Sequence, residues 1–220
     1  MAIWNLGSIN ADIVYSVPHI PTPGETLSST NRQTFLGGKG ANMSVAAARA
    51  GTHVQHIGAV GEDGRWAIER LLEYGVDTRN IAVLDTETAQ AIIMVDPHGE
   101  NAIVLHPGAN AEIPQATLQA AIAEASTGDW LVIQNETNLQ RTAAAMGKKL
   151  GLQVAYAAAP FARPMGTQME LAARRVLKEQ RPGESYAEKL ERCIRDYTYK
   201  DIEGSICQAC NFPKVIICAT

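Results

Sequence analysis

Apolar and polar residues alternate along the first 161 residues in short blocks whose lengths distinguish strands from helices. Short apolar blocks bounded by turn residues are typical of buried strands, and longer blocks with apolar residues three or four positions apart are typical of amphipathic helices. The strand-like blocks are residues 2–9, 53–60, 130–133 and 152–156. The helical blocks are residues 43–50, 64–74, 114–125 and 138–150. This alternation predicts βαβ units and a mainly parallel sheet that helices cover on both faces.

Three β-rich blocks interrupt that alternation, and they predict a small separate sheet. Residues 12–17 end at Pro18, and residues 25–35 are rich in Ser and Thr, as in an exposed strand. Residues 89–96 and 101–106 flank the turn Pro97-His98-Gly99-Glu100, which indicates a hairpin.

Polar residues before the helical blocks predict where those helices begin. Asp63 is suited to cap the helix over 64–74, and Thr137 or Asn138 to cap the helix that ends at Leu150. Pro114 suits the first turn of the helix over 114–125. The residues expected on the inner side of the 64–74 helix are Trp66, Ile68, Leu71 and Leu72.

The hexapeptide Gly37-Gly38-Lys39-Gly40-Ala41-Asn42 predicts a glycine loop that leads into a helix N-terminus. Glycine lets backbone N–H groups approach a polar ligand closely. The spacing excludes a Walker A loop, because Lys39 is followed by Gly40, and a dinucleotide fingerprint would need glycine where Met43 stands. A tight turn without a ligand is the alternative, and three glycines, a lysine and an asparagine in six residues make it the weaker one.

Two acidic residues follow predicted strands, where open parallel sheets bind ligands. Asp12 comes two residues after Asn10 at the end of the first strand, and its carboxylate can accept hydrogen bonds from two adjacent sugar hydroxyls. An Asx turn would explain Asp12 equally well on its own. Glu136 follows the strand over 130–133, and its alternative role is to cap the next helix.

Lys39 and Asn42 are candidate donors to sugar hydroxyls or to a ring oxygen. A solvated lysine and a simple helix cap are the corresponding alternatives for these two residues.

The hexapeptide and its helix resemble the first signature of the ribokinase-like (PfkB) carbohydrate kinases. Asn10-Ala11-Asp12, Gly58-Ala59-Val60-Gly61-Glu62-Asp63 and Gln134-Asn135-Glu136-Thr137 resemble further segments of that family, and the likeness covers about residues 2–161. It implies a three-layer αβα sandwich with a mainly parallel sheet and a small β lid, formed by about residues 12–17, 25–35 and 89–106. It also implies transfer of the ATP γ-phosphate to a sugar or nucleoside hydroxyl, with ATP and Mg²⁺ as cofactors.

The resemblance also suggests roles for individual residues. It implies sugar contacts by Gly38, Lys39 and Asn42, and a lid hinge at the pair Gly37-Gly38. Glu136 resembles the substrate-side glutamate of the family. The substrate-binding set expected from motif and resemblance together is Asn10, Asp12, Gly37, Gly38, Lys39, Asn42 and Glu136. A homodimer through the lid is expected as well, because exposed sheet faces and edges are usually paired or covered.

Composition narrows the possible partners. A 220-residue chain with 46% hydrophobic and 19% charged residues is typical of a globular domain. A net charge of −4 argues against a dedicated nucleic-acid binder. The start of the chain lacks a basic signal-peptide region, and no apolar run reaches the roughly 20 residues of a membrane span. A cytoplasmic protein without membrane contact is therefore expected.

Residues 162–220 differ in character and do not resemble the family. They carry 10 basic and 8 acidic residues, against 9 and 15 in residues 1–161, and hold all four cysteines, Cys193, Cys207, Cys210 and Cys218. The spacing Cys207-Gln208-Ala209-Cys210 suits zinc, but one such pair with irregular partners favours free thiols and no metal. We expect an atypical helical tail.

The sequence also lacks two segments that the family uses for catalysis. After Asn138 no Asn-x-x-Glu segment, which would organise the metal, and no Gly-x-Gly-Asp segment, which would supply the base, is found. No residue can therefore be named as the catalytic base, and an inactive chain is expected. The alternative function is a non-catalytic sugar-binding or dimerising module from a truncated or fused kinase gene.

Overall fold

A computed structural model describes residues 1–157, and within them the chain forms nine strands and four α-helices. The strands are β1 (Ile3–Leu6), β2 (Asn10–Ser16), β3 (Asn31–Gly37), β4 (Val54–Gly61), β5 (Asp77–Leu84), β6 (Ala89–Val95), β7 (Asn101–His106), β8 (Trp130–Gln134) and β9 (Gln153–Ala157). The helices are α1 (Lys39–Arg49), α2 (Arg65–Glu73), α3 (Gln115–Ala123) and α4 (Gln140–Lys149), and short 3₁₀ turns cover Glu62–Gly64 and Gly108–Ala111. The tail over 162–220, its cysteines and the predicted boundary near residue 161 lie outside the described residues.

The larger sheet has five strands in the order β5-β4-β1-β8-β9. β1 pairs in parallel with β4 on one side and β8 on the other, and β4 pairs in parallel with β5. Every residue of β4 is buried, as expected for a central strand that is covered on both faces. The predicted parallel α/β architecture is confirmed.

The smaller sheet has four strands in the order β3-β2-β6-β7. β6 and β7 form the predicted antiparallel hairpin, and β2 joins it through a parallel pairing with β6. β3 pairs antiparallel with β2 along its whole length. The separate small sheet predicted from the three β-rich blocks is therefore confirmed, although its first edge strand begins at Asn31 rather than near residue 25.

Strand β5 was not predicted from the sequence. It begins with Asp77-Thr78-Arg79-Asn80, so its first half offers no apolar alternation. Its place at the edge of the larger sheet allows polar side chains, and the Asn80 side chain donates to the side-chain oxygen Oε1 of Gln55 at 3.0 Å.

The predicted helix caps were wrong. Helix α2 begins after Gly64 without a side-chain cap, and Asp63 accepts hydrogen bonds from the Thr88 N–H at 3.0 Å and the Thr88 hydroxyl at 2.7 Å. Asp63 therefore fastens the segment before β6 instead of capping its own helix. The inner face of α2 holds Ala67 and Leu71, whereas Leu72 is 62% exposed, contrary to prediction.

Helix α4 begins at Gln140, two residues later than predicted. Its N-cap is Leu139, which has a left-handed backbone with φ 63°, and it makes no side-chain cap bond. Asn138 instead donates to the Ile113 carbonyl oxygen at 2.9 Å. None of the helices described is long and apolar enough to cross a membrane.

Candidate functional site

The glycine-rich hexapeptide is mostly helical, which corrects the prediction of a loop that leads into a helix at residue 43. Helix α1 already begins at Lys39, and Gly38 is its N-cap with a φ of 93°. The Asn42 N–H donates to the Gly38 carbonyl oxygen at 3.0 Å, so Asn42 is a residue of the first turn and not a cap. Glycine at position 38 permits this abrupt entry, because other residues rarely adopt a positive φ.

The start of α1 lies directly against the segment that follows β1. The Ala41 N–H donates to the Ser8 carbonyl oxygen at 2.9 Å, and the Gly40 N–H donates to the Ser8 hydroxyl at 3.3 Å. A Cβ atom on Gly40 would overlap the backbone of Gly7 and Ser8. The second and third glycines of the hexapeptide therefore serve a backbone turn and a close helix-to-strand contact.

Gly40→Ala is expected to lower the free energy of unfolding by about 2 kcal/mol, because the new methyl group must push apart two backbone segments. Urea unfolding followed by circular dichroism measures this. Gly51→Ala is the control: its added Cβ meets no atom, but its φ of 84° should cost about 1 kcal/mol. A Gly40→Ala protein as stable as the wild type would contradict the contact.

Lys39, Glu136 and Ser8 form a polar cluster at the carboxyl ends of β1 and β8. The Lys39 ammonium lies 2.6 Å from Glu136 Oε1, and the Ser8 hydroxyl donates to Glu136 Oε2 at 2.7 Å. The Lys39 N–H also points to Glu136 Oε2, at 3.4 Å. Glu136 is only 10% exposed at its side chain, and Lys39 compensates its charge. Helix α4 begins without a side-chain cap bond, so the capping role considered for Glu136 is wrong.

Asp12 lies beside this cluster on the first residues of β2. Its half-buried carboxyl group sits over Gly37, where any Cβ would overlap it. Burial, followed by repulsion from the Glu136 carboxylate, raises the pKa of Asp12 from 3.8 to about 6. The stability that this raised pKa provides is complete below pH 3.8 and is lost as the pH rises through about 6. The ionised form of Asp12 therefore destabilises the ligand-free protein.

Asn10 is held from a distant part of the chain. The Asn110 side chain donates to Asn10 Oδ1 at 2.8 Å and accepts the Ile9 N–H at 3.0 Å. Asn110 and Ser8 are the two site residues that sequence reasoning missed. Ser8 adjoins the motif at Asn10, whereas Asn110 is an isolated polar residue in a 3₁₀ turn and carries no sequence signal.

The structure brings most of the predicted substrate-binding residues together. Asp12, Gly37, Gly38, Lys39 and Glu136 are linked by the contacts above, and Asn10 lies two residues before Asp12. Asn42 is exposed on α1, one turn after Gly38.

The arrangement offers one carboxylate that is free for a ligand and one that is paired. Within the described residues the Asp12 carboxylate accepts no hydrogen bond, whereas Glu136 is bound by Lys39 and Ser8. A desolvated, unpaired carboxylate is a strong acceptor for neutral hydroxyl donors. Among residues 1–157 no group of three or more His, Cys, Asp or Glu side chains could hold a metal ion.

Comparison with known proteins places this geometry in a family. The sequence model described as pfkB family carbohydrate kinase matches residues 3–164. The ribokinase of Haemophilus influenzae is 42% identical over 160 residues, which cover 70% of this chain and 52% of that protein. The ribokinase of Bacillus subtilis is 39% identical over 134 residues, 60% of this chain and 45% of that protein. The chain thus spans about half the length of these curated relatives.

Solved structures give the same fold. The ribokinase of Cryptococcus neoformans in complex with ADP superposes with a TM-score of 0.66 at 31% identity, over 91% of this chain and 69% of that one. Arabidopsis thaliana ribokinase complexed with ribose and ATP superposes with a TM-score of 0.67, over 99% and 72% of the two chains. Its 23% identity supports the fold alone.

Proposed function

The chain belongs to the pfkB family of carbohydrate kinases, and on that premise we propose that residues 1–157 form the sugar-binding half of an ATP-dependent sugar kinase. Ribose is the first candidate substrate, because the relatives named above are ribokinases. In such a reaction ATP supplies the phosphoryl group and Mg²⁺ neutralises its charge. A cytoplasmic location, where ATP is made, belongs to the same proposal.

The observation that carries the proposal is the unpaired Asp12 carboxylate beside a compensated Glu136. A pentose offers neighbouring hydroxyl groups, and one carboxylate can accept two of them at once. Lys39 cancels the charge of Glu136, so a neutral sugar meets a site with one net negative acceptor rather than two. The hydroxyl-bearing ligand would also replace the water that Asp12 loses on burial.

Isothermal titration of the 220-residue chain with ribose, 2-deoxyribose, fructose and adenosine, without nucleotide, tests the proposal. We expect saturable binding of one molecule per chain for at least one of them, with ribose among the tightest. Absence of binding by every compound to a folded protein would contradict the proposal. The non-catalytic module considered from the sequence is not favoured, since the relatives named above are kinases.

Sugar affinity is expected to depend on pH through Asp12. Its pKa of about 6 means that acidification below pH 6 protonates the acceptor and weakens binding, by up to tenfold per pH unit. Titrations between pH 5 and pH 8 measure this. Asp12→Asn cannot titrate and is the control, whose affinity should be weak and constant; a wild-type affinity that does not change over this range would argue against Asp12 as the acceptor.

We also propose that the small sheet forms a homodimer. Register places Asp12 opposite Phe35 and Ala91, and Ala91 opposite Leu105, with Ile103 next along the same face of β7. Phe35, Ile103 and Leu105 are each about half exposed on this face. These three apolar side chains share the face of the small sheet that also carries Asp12, and several exposed apolar side chains on one face favour an interaction surface.

Ile103→Asp is expected to convert the dimer to a monomer, because it would bury a charge among the apolar side chains of the proposed interface. Sedimentation velocity over a range of protein concentrations measures the change. Val104→Asp is the matched control: Val104 neighbours Ile103 and is even more exposed, but it points to the opposite face of β7. A monomeric wild type, or equal effects of the two variants, would contradict this interface.

A further inference from the structure

A buried chain of polar side chains lies beneath the contact between Gly7 and Gly40. The Gln134 side-chain N–H donates to Asn5 Oδ1 at 2.6 Å, and the Asn5 side chain donates to the Ser44 hydroxyl at 2.8 Å. Ser44 is bonded to His56 Nδ1 at 2.8 Å, and His56 Nε2 to the Gly7 carbonyl oxygen at 3.1 Å. All four side chains are essentially inaccessible to solvent.

The donor and the acceptor of each hydrogen bond in this network follow from the Gly7 carbonyl oxygen. A carbonyl oxygen only accepts, so His56 Nε2 carries the proton and donates to Gly7. Neutral imidazole then accepts at Nδ1, which makes Ser44 the donor to His56 and the acceptor from Asn5. Burial lowers the pKa of His56 to about 4, so the ring stays neutral at physiological pH and the order is kept.

The network of hydrogen bonds contacts the two backbone segments that carry Ser8 and Lys39, the partners of Glu136 in the polar cluster. At one end His56 holds the carbonyl of Gly7, the residue before Ser8. In the middle the second Asn5 N–H donates to the carbonyl oxygen of Gly40, the residue after Lys39, at 2.8 Å. Ser8 and Lys39 are the two residues that bind Glu136. The network therefore contacts the neighbours of both partners of Glu136 and none of the proposed sugar-binding side chains.

We propose that His56 is a positioning residue, which through Ser44 and Asn5 holds Gly7 and Gly40 in register so that Ser8 and Lys39 meet Glu136. Burying these four polar side chains is not needed for stability, because an apolar core of the same shape would be at least as stable. What apolar groups cannot do is fix two backbone carbonyls by directed bonds. The inference concerns the same site as the proposed function and rests on it only for the effect on sugar affinity.

Two substitutions at position 56 separate positioning from packing. His56→Gln reaches as far as imidazole Nε2 and can still donate to Gly7, whereas His56→Asn is shorter and reaches only the position of Nδ1, near Ser44. Hydrogen exchange of the Gly40 and Ala41 amides, which donate to Ser8, reports on the register directly and needs no sugar. Ribose affinity is measured in parallel.

We expect exchange of these two amides to quicken about tenfold in His56→Asn and to stay near the wild-type rate in His56→Gln. Ribose affinity should fall about tenfold in the first variant only. Equal exchange rates in both variants, or rates that rise evenly over the whole of the larger sheet, would overturn the positioning role. If His56→Asn does not fold, Ser44→Ala replaces it, because it removes the acceptor that orients the Asn5 side chain toward Gly40, an acceptor that His56→Gln keeps. Exchange of the same two amides should quicken in Ser44→Ala, and a wild-type rate there would overturn the positioning role.

The two readouts keep the proposals apart. If the wild type binds no sugar but the exchange difference is present, the proposed function fails and the positioning role stands. If sugar binds with equal affinity in folded variants whose exchange rates are equal, the positioning role fails and the proposed function stands.

Discussion

Asp12→Ala is expected to abolish measurable sugar binding while leaving the fold intact. The substitution removes an acceptor for two charge-assisted hydrogen bonds, each of which contributes about 1.5–3 kcal/mol. The loss is then at least about 3 kcal/mol, which corresponds to a dissociation constant weakened by roughly a hundredfold or more. Isothermal titration with the tightest sugar of the panel measures it.

The Asp12→Asn protein, whose sugar affinity should also be weak, should be more stable than the wild type at pH 7. The raised pKa of Asp12 shows that its ionised form is disfavoured in the free protein, by burial first and by Glu136 second. Asp12→Asn keeps the shape over Gly37 and removes the charge, so at pH 7 it should unfold at a higher urea concentration than the wild type. At pH 4 most of this gain should be lost, and it should vanish below pH 3.8, where Asp12 is protonated in the unfolded chain as well.

Opposite changes in affinity and stability are hard to explain by misfolding. A residue that only supports the turn between β1 and β2 would lose stability on substitution, with or without a ligand. Unchanged affinity for every sugar that the wild type binds would refute the role of Asp12. A lower stability of Asp12→Asn at pH 7 would show instead that the carboxylate is a structural acceptor.

Most of the main sheet was predictable because its inner strands are largely buried. A run such as that of β4 is apolar enough to be recognised without its neighbours, and the intervening helices follow from their period. Strand β5 escaped prediction because an edge strand tolerates Asp77 and Arg79, which pair with each other at 2.8 Å. Edge position is a property of the assembled sheet and is not encoded in the local pattern.

The site was predictable as far as its residues are close in sequence. The hexapeptide and Asp12 could be found because glycines and an acid at a strand end form local motifs. The pairing of Lys39 with Glu136 joins residues 97 positions apart, and the link from Asn110 to Asn10 spans 100. Local rules also misplaced both helix caps, because Asp63 and Asn138 bind distant segments instead of their own helices.

A polypeptide of these 220 residues is expected to bind sugar without phosphorylating it at a useful rate. Phosphoryl transfer requires an oriented base, a metal that neutralises charge and backbone donors for the phosphates. Within these residues no Asn-x-x-Glu or Gly-x-Gly-Asp segment follows Asn138. Loss of such a set typically costs several orders of magnitude, and charge alone does not align an in-line attack.

The measurement is ADP release with ribose, fructose, 2-keto-3-deoxygluconate and adenosine, after sugar binding by the same preparation has been demonstrated. Asp12→Asn, purified identically, is the control, because activity that both proteins share comes from contaminating host kinases. Turnover near 1 s⁻¹ that depends on Asp12, roughly the low end for ordinary enzymes, would contradict the expectation. It would also show that these residues supply a base and phosphate donors although neither of the two family segments is found in them.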